Sequence, residues 1–91
     1  MGYDEVKRDL QNAGASMRCS DVIRILESLG FVVRECGKGK HRVFKHPSIP
    51  SFLGGSFDCG HGRNPEVKKV YVKKILRVLD EFEAEIRDIA G

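Results

Sequence analysis

The run from residue 20 to residue 35 constrains the fold of this chain most strongly. In SDVIRILESLG the apolar residues repeat at helical spacing, and Ser20 or Asp21 is suited to accept hydrogen bonds from the first free amides of a helix. Gly30 suits the left-handed position that follows many helices. FVVRE comes directly afterwards, and its β-branched residues predict a strand. A helix and a strand are therefore expected to share one core here.

The pattern downstream predicts two more strands and a second helix. Residues 37 to 39 are expected to form a turn, HRVFKH reads as the second strand, and Pro47 and Pro50 end it because proline cannot donate to a ladder. A third strand is expected around residues 56 to 59. Pro65 fits the first turn of a long helix. The buried stripe of that helix is expected to comprise Val67, Tyr71, Ile75, Val78, Leu79, Phe82 and Ile86.

This α-β-β-β-α order predicts an α+β domain. A three-stranded antiparallel sheet with both helices on one face buries all the apolar stripes at once. The 91 residues suffice for one domain with one small core. We expect that domain to span residues 18–91, with residues 1–17 as a loosely attached N-terminal extension. Val6 and Leu10 are spaced i, i+4, which is compatible with a short helix in the extension.

Bulk properties of the sequence exclude several classes of protein. No apolar run approaches the roughly 20 residues needed to span a bilayer, and the segment MGYDEVKRDL is too polar for a secretory signal. The cysteines, Cys19, Cys36 and Cys59, are odd in number and form no CxxC. This pattern predicts reduced thiols rather than a disulfide framework, and hence a cytoplasmic protein.

The net charge of +3 conceals a strongly basic middle. Between residues 34 and 77 there are eleven Lys or Arg and three Asp or Glu, which leaves an excess of eight positive charges. The rest of the chain carries five basic and ten acidic residues, an excess of five negative charges. Such asymmetry is typical of a protein that binds phosphates, although a solvated basic face would give the same count.

The segment CGKGKHRVFKHP, residues 36 to 47, lies in this basic middle and allows three interpretations. A Walker-type phosphate loop requires GxxxxGK[ST] between a strand and a helix, whereas this turn joins two strands and no Ser or Thr follows Lys40. A zinc site would need a regular ligand spacing, which is lacking, and nearby cations would repel a dication, so no metal is expected. The candidate metal ligands are Cys36, His41, His46, Cys59 and His61.

The third interpretation is an RNA-binding surface. Lys and Arg bind phosphates, and an imidazole, with an unperturbed pKa of about 6.5, titrates near neutrality. Such a group can take the proton of a ribose 2′-hydroxyl or protonate the leaving 5′-oxygen, which is typically worth about 10²–10⁴ in rate.

Residues 20 to about 79 resemble the HicA toxin family, small mRNA interferases paired with HicB antitoxins. SDVIRILESLGF resembles the family's opening helix, GKHRVFKHP its Gly-Ser-His-His-x-Phe-x-His-Pro signature, and VYVKKILRVL the start of its last helix. Lys40 and Arg42 stand where that signature has Ser and a second His. The family's fold is similar to the double-stranded-RNA-binding domain, whose α-β-β-β-α order agrees with the one derived above.

This resemblance implies an endoribonuclease that acts on mRNA without metal or cofactor. His41 matches the first signature histidine and is expected to be the general acid or base. A HicB-like antitoxin is the implied partner, expected to cover the His41 surface and to place acids against its cations. The residues expected to bind RNA are Lys38, Lys40, Arg42, Lys45, His46, Lys68 and Lys69.

Two other functions stay open at this stage. One is an RNA-binding module without catalysis, and the other is a protein-interaction domain whose charged helix binds an acidic partner. His41 and His46 are five residues apart, so a regular strand would point them to opposite faces. We choose His41 for catalysis because it lies beside the turn.

Overall fold

A computed structural model describes residues 2–35, 39–60 and 62–90 of the chain. Within these residues, no helix combines the length and apolarity needed to cross a membrane. The elements are α1 (Tyr3–Gln11), β1 (Ser16–Arg18), α2 (Cys19–Ser28), β2 (Val32–Glu35), β3 (His41–Lys45), β4 (Gly55–Asp58), β5 (Glu66–Lys68), α3 (Lys69–Glu81) and α4 (Glu83–Ala90).

The main sheet has three antiparallel strands, as the sequence predicted, and their order is β2-β3-β4. Phe44, in the central strand, lies opposite Val33 of β2 and Gly55 of β4. Its ring belongs to the same buried cluster as Ile25 of α2 and Ile75 of α3. The predicted α+β architecture, with helices covering one face of a three-stranded sheet, is therefore confirmed.

A short antiparallel ribbon formed by β1 and β5 starts both main helices. The first amide of α2, on Cys19, donates to the carbonyl of Pro65 at 2.9 Å. The first amide of α3, on Lys69, donates to the carbonyl of Ala15 at 3.0 Å. Because the ribbon supplies backbone acceptors for amides that a helix leaves free, it replaces the usual side-chain caps.

Three predictions about the helices are corrected by this ribbon and by the C-terminal region. Neither Ser20 nor Asp21 caps α2, because the helix already begins at Cys19. Pro65 does not open the last helix, since residues 66–68 pair with β1 before α3 begins. The single long helix is instead two, separated at Phe82.

The N-terminal helix α1 is an integral part of the core. Tyr3, Val6 and Leu10 are all buried, on one face of the helix. The Tyr3 hydroxyl donates to the carbonyl of Leu79, near the end of α3, at 2.7 Å. The short helix expected in residues 1–17 is present, but the expectation of loose attachment is wrong because this apolar face has a buried partner surface.

The structure joins Cys19 and Cys59 in a disulfide, with a Cα–Cα distance of 5.2 Å. Cys19 begins α2 and Cys59 follows β4, and both side chains are buried. The predicted reduced state of these thiols is therefore corrected. An odd number of cysteines does not prevent two of them from pairing when the fold brings residues 40 positions apart together.

We expect Leu10→Ala to lower the free energy of unfolding by about 2–5 kcal/mol, the usual cost of truncating a fully buried leucine. Urea denaturation followed by circular dichroism would measure it. The exposed neighbour Gln11, changed to Ala, is the control and should stay within about 0.5 kcal/mol of wild type. A Leu10→Ala effect as small as that of the control would mean that α1 does not belong to the cooperative core.

Candidate active site

The candidate active site lies where β3 begins and β4 ends, next to the turn that precedes β3. His41, the first residue of β3, lies directly opposite Asp58, the last residue of β4. Cross-strand partners project from the same face of a sheet, so their side chains meet. The amide of Cys59 also donates to the carbonyl of Lys40 at 2.8 Å, which extends the backbone pairing beyond this position.

His41, Asp58 and Tyr71 form a hydrogen-bonded chain. His41 Nδ1 lies 2.9 Å from Asp58 Oδ1, and the Tyr71 hydroxyl donates to Asp58 Oδ2 at 3.0 Å. Tyr71 comes from the first turn of α3, so the chain links the sheet to the helix. The His41 side chain is 45% exposed and that of Asp58 is 32% exposed. The imidazole therefore remains accessible to a ligand while one of its nitrogens is engaged.

These hydrogen bonds change the acidity of two groups. The bond with His41, followed by the bond from Tyr71, lowers the pKa of the Asp58 carboxyl. The bond to Asp58 raises the pKa of the Tyr71 hydroxyl. Asp58 is therefore a carboxylate and Tyr71 a neutral donor at neutral pH.

Exposed lysines surround this chain of side chains. Lys40 and Lys68 line one small cleft together with Asp58 and Tyr71. Lys45 lines a shallow depression of the sheet together with His41. Lys69 is exposed at the start of α3. Four of the predicted RNA-binding residues are thus available to solvent, and three of them line the surface depressions next to His41 and Asp58.

The structure does not place His46 at this site. Its side chain is 5% exposed, Nε2 lies 3.0 Å from the carbonyl oxygen of Leu29, and the amide of Ser48 donates to Nδ1 at 3.2 Å. The ring also packs edge-on against Phe31, with centroids 4.9 Å apart. Since the side chain is buried and the backbone engages both ring nitrogens, the predicted role of His46 in RNA binding is corrected to a structural one.

Arg42 is also engaged in the fold. Its side chain is 17% exposed, lies 3.3 Å from a carboxylate oxygen of Glu35, and donates to the carbonyl of Gly39 at 2.8 Å. Gly39 adopts φ +91°, the left-handed conformation that the turn before β3 requires. Arg42 therefore supports that turn, and this role weakens the prediction that it binds RNA.

Other predicted residues lie outside the part of the chain that the structure describes. Lys38, expected to bind RNA, is one of them, as are Cys36 and His61 from the candidate metal ligands. Among residues 2–35, 39–60 and 62–90, no group of three or more His, Cys, Asp or Glu side chains is arranged to hold a metal ion.

Sequence reasoning missed Asp58 and Tyr71. Asp58 counted only as one of three acids in a basic region, and Tyr71 only as a member of a buried stripe. In the structure Val72 is buried and Tyr71 is only partly so. Asp58 could have been identified from its position, because it lies near the end of the predicted third strand. That strand pairs with the strand of His41.

Comparison with known families agrees with the architecture. Residues 19–80 match the model of the HicA toxin of bacterial toxin–antitoxin systems. The chain belongs to the HicA toxin family. The matched region runs from α2 into α3 and contains His41, Asp58 and Tyr71. No curated protein and no solved structure matches the chain.

Membership of the HicA family confirms the resemblance that the sequence indicated. The chain is accordingly a toxin of a toxin–antitoxin system, a class defined by pairing with an antitoxin.

The two histidines should respond differently to truncation. We expect His46→Ala to lower the free energy of unfolding by about 1–3 kcal/mol, because it leaves the buried Leu29 carbonyl without its partner. His41→Ala, at a half-exposed position, should change stability by less than about 1 kcal/mol. Urea denaturation of both variants measures the difference. Equal losses would contradict the structural assignment of His46.

Proposed function

We propose that this toxin is an endoribonuclease that acts on mRNA, and therefore in the cytoplasm, without a metal ion and with His41 as general acid or base. The observation that carries the proposal is an accessible imidazole, held by a carboxylate, with exposed lysines on the adjoining surface. Histidine is the side chain most often used for proton transfer near neutral pH. Membership of the HicA toxins supports RNA as the target.

The reaction that fits these groups is an internal transesterification of RNA. The free nitrogen of His41 takes the proton of a ribose 2′-hydroxyl, and the 2′-oxygen attacks the adjacent phosphorus. An O2′–P bond forms, the P–O5′ bond breaks, and the leaving 5′-oxygen takes a proton from water. The products are a 2′,3′-cyclic phosphate and a free 5′-hydroxyl. The nucleophile belongs to the RNA, so the protein needs to supply only proton transfer and charge stabilisation.

Lys40 and Lys68 are suited to stabilise the charge on the transferring phosphate. Both are exposed and line the cleft that contains Asp58. Preorganised cations aimed at developing negative charge lower a barrier without reorganising during the reaction. Lys45 and Lys69, which are also exposed, would hold the neighbouring phosphates through sequence-independent contacts.

A HicB-like antitoxin is the proposed partner of this surface. The family pairs each toxin with an antitoxin, and the lysines around His41 would attract acidic side chains. A partner that places carboxylates against Lys40 and Lys68 would compete directly with the RNA backbone. Inhibition would then follow from occupying the phosphate sites and covering His41.

We expect purified wild-type protein to cleave single-stranded RNA in EDTA and His41→Ala to be slower by about 10²–10⁴-fold, the usual contribution of a general acid–base group. Gel analysis of 5′-labelled RNA gives the rate, and the cyclic phosphate end is identified by mass spectrometry. His46→Gln, at a buried position, is the matched histidine control and should retain activity if it folds.

Equal cleavage by wild type and His41→Ala would remove His41 from catalysis. RNA binding without cleavage by the wild type would instead favour the non-catalytic RNA-binding module. Loss of wild-type activity in EDTA, restored by Mg²⁺, would contradict the metal-independent mechanism.

Phosphate binding by Lys68 can be tested separately from cleavage. In a His41→Ala background, Lys68→Ala should weaken RNA binding and reduce the slope of log affinity against log salt by about 0.7, the value for one phosphate contact on a single strand. Fluorescence anisotropy at several salt concentrations measures both quantities. Arg8→Ala removes the same charge from α1, which packs near the far end of α3, and should leave the slope unchanged. Identical slopes for Lys68→Ala and its background would exclude this contact.

A further inference from the structure

We infer that Asp58 and Tyr71 are positioning residues that fix which ring nitrogen His41 presents to RNA. The inference rests on the proposed role of His41 and extends it to two residues with no assigned function. It is carried by the geometry of the chain His41–Asp58–Tyr71, in which each oxygen of one carboxylate has its own partner.

The carboxylate determines the tautomer of the imidazole. An ionised carboxylate can only accept hydrogen bonds, so the 2.9 Å contact between His41 Nδ1 and Asp58 Oδ1 requires the proton to be on Nδ1. In the neutral ring, Nε2 then carries the free lone pair. The opposite tautomer would place a lone pair of Nδ1 against the anionic oxygen. Asp58 therefore makes Nε2 the nitrogen that is able to take a proton from a ribose hydroxyl.

Tyr71 holds the carboxylate in the orientation that this requires. Its hydroxyl donates to Oδ2 at 3.0 Å and leaves Oδ1 for His41. Without that donor, Asp58 could rotate toward Lys40 or Lys68, the cations that line the same cleft. The ammonium of Lys74 lies 5.5 Å from the centroid of the Tyr71 ring, a contact that further restrains the ring. The helix α3 thus contributes to the active site through the sheet carboxylate.

His46 provides an internal reference for the test. Its Nδ1 accepts a hydrogen bond from the amide of Ser48, so its proton must be on Nε2, where it is donated to the Leu29 carbonyl. The two histidines are therefore expected to be opposite tautomers in one protein. The difference is observable in long-range ¹H–¹⁵N spectra of ¹⁵N-labelled protein, recorded at about pH 8.5, well above the ordinary imidazole pKa of about 6.5.

In wild type we expect the Nδ1–H tautomer for His41 and the Nε2–H tautomer for His46. Asp58→Ala should shift His41 toward Nε2–H and lower the single-turnover cleavage rate by about 10²-fold or more, within the range of general acid–base effects. Tyr71→Phe should give a smaller loss of about 3–10-fold, because it removes a hydrogen bond that orients the carboxylate and leaves the contact between the carboxylate and His41 in place. The RNA dissociation constant should not rise in either variant, and Asp88→Ala, at an exposed position on α4, should match wild type throughout.

An Nε2–H tautomer of His41 in the wild type would overturn the inference, and so would a His41 tautomer that Asp58→Ala leaves unchanged. Wild-type cleavage rates in both Asp58→Ala and Tyr71→Phe would also overturn it. If Asp58→Ala does not fold, the His41 tautomer of the wild type and the cleavage rate of Tyr71→Phe still test the inference. Failure of the wild type to cleave RNA counts against the proposed function alone, because the tautomer measurement needs no activity.

Discussion

The packing of the Phe44 ring over Gly55 fixes the pairing of β3 with β4, and the candidate site depends on that pairing. A Cβ at Gly55 would lie 2.6 Å from the ring, so the ring occupies space that only glycine leaves free. With Phe44 opposite Gly55, His41 falls opposite Asp58. A slip of one residue would turn Phe44 toward solvent and separate the histidine from its carboxylate. A contact in the apolar core therefore determines the geometry of a polar site at the other end of the strand.

His41 begins β3 and His46 directly follows it, and the two histidines have opposite surroundings. Residues that alternate along β3 divide between the core and the open face, and the alternation predicted correctly that His41 and His46 lie on different sides. Burial then decides their chemistry. The position of His46 also explains why residue 30 is a glycine, because a Cβ there would lie 2.8 Å from His46 Nε2. The φ of +93° at Gly30 independently favours glycine. A sequence motif with two histidines thus combines one accessible imidazole with one that joins the end of α2 to the sheet.

Local periodicity made most of the fold predictable, and pairing over long distances made the rest unpredictable. The helix α2 and strands β2 to β4 each carry enough alternation to be read from the sequence. The ribbon of β1 and β5 does not, because strands of three residues have no measurable period and pair across about fifty positions. The same applies to the site. His41 and Lys40 could be found because they stand in a motif, whereas the position of Asp58 depends on how β4 pairs with β3 across the connection of residues 46–54. The disulfide partner of Cys19 likewise depends on where β4 ends.

The unpredicted ribbon also positions the part of the site that comes from α3. The Ala15 carbonyl in front of β1 receives the first amide of α3, so the ribbon sets where the helix starts and hence where Tyr71, in its first turn, meets Asp58. The same turn carries Lys69, and Lys68 precedes it, although the helix dipole disfavours cations at this end by a few tenths of a kcal/mol each. Backbone pairing far from His41 thus brings a donor to the carboxylate and Lys68 to the adjoining cleft. Cations placed against the helix dipole are better explained by an anionic ligand than by the stability of the helix.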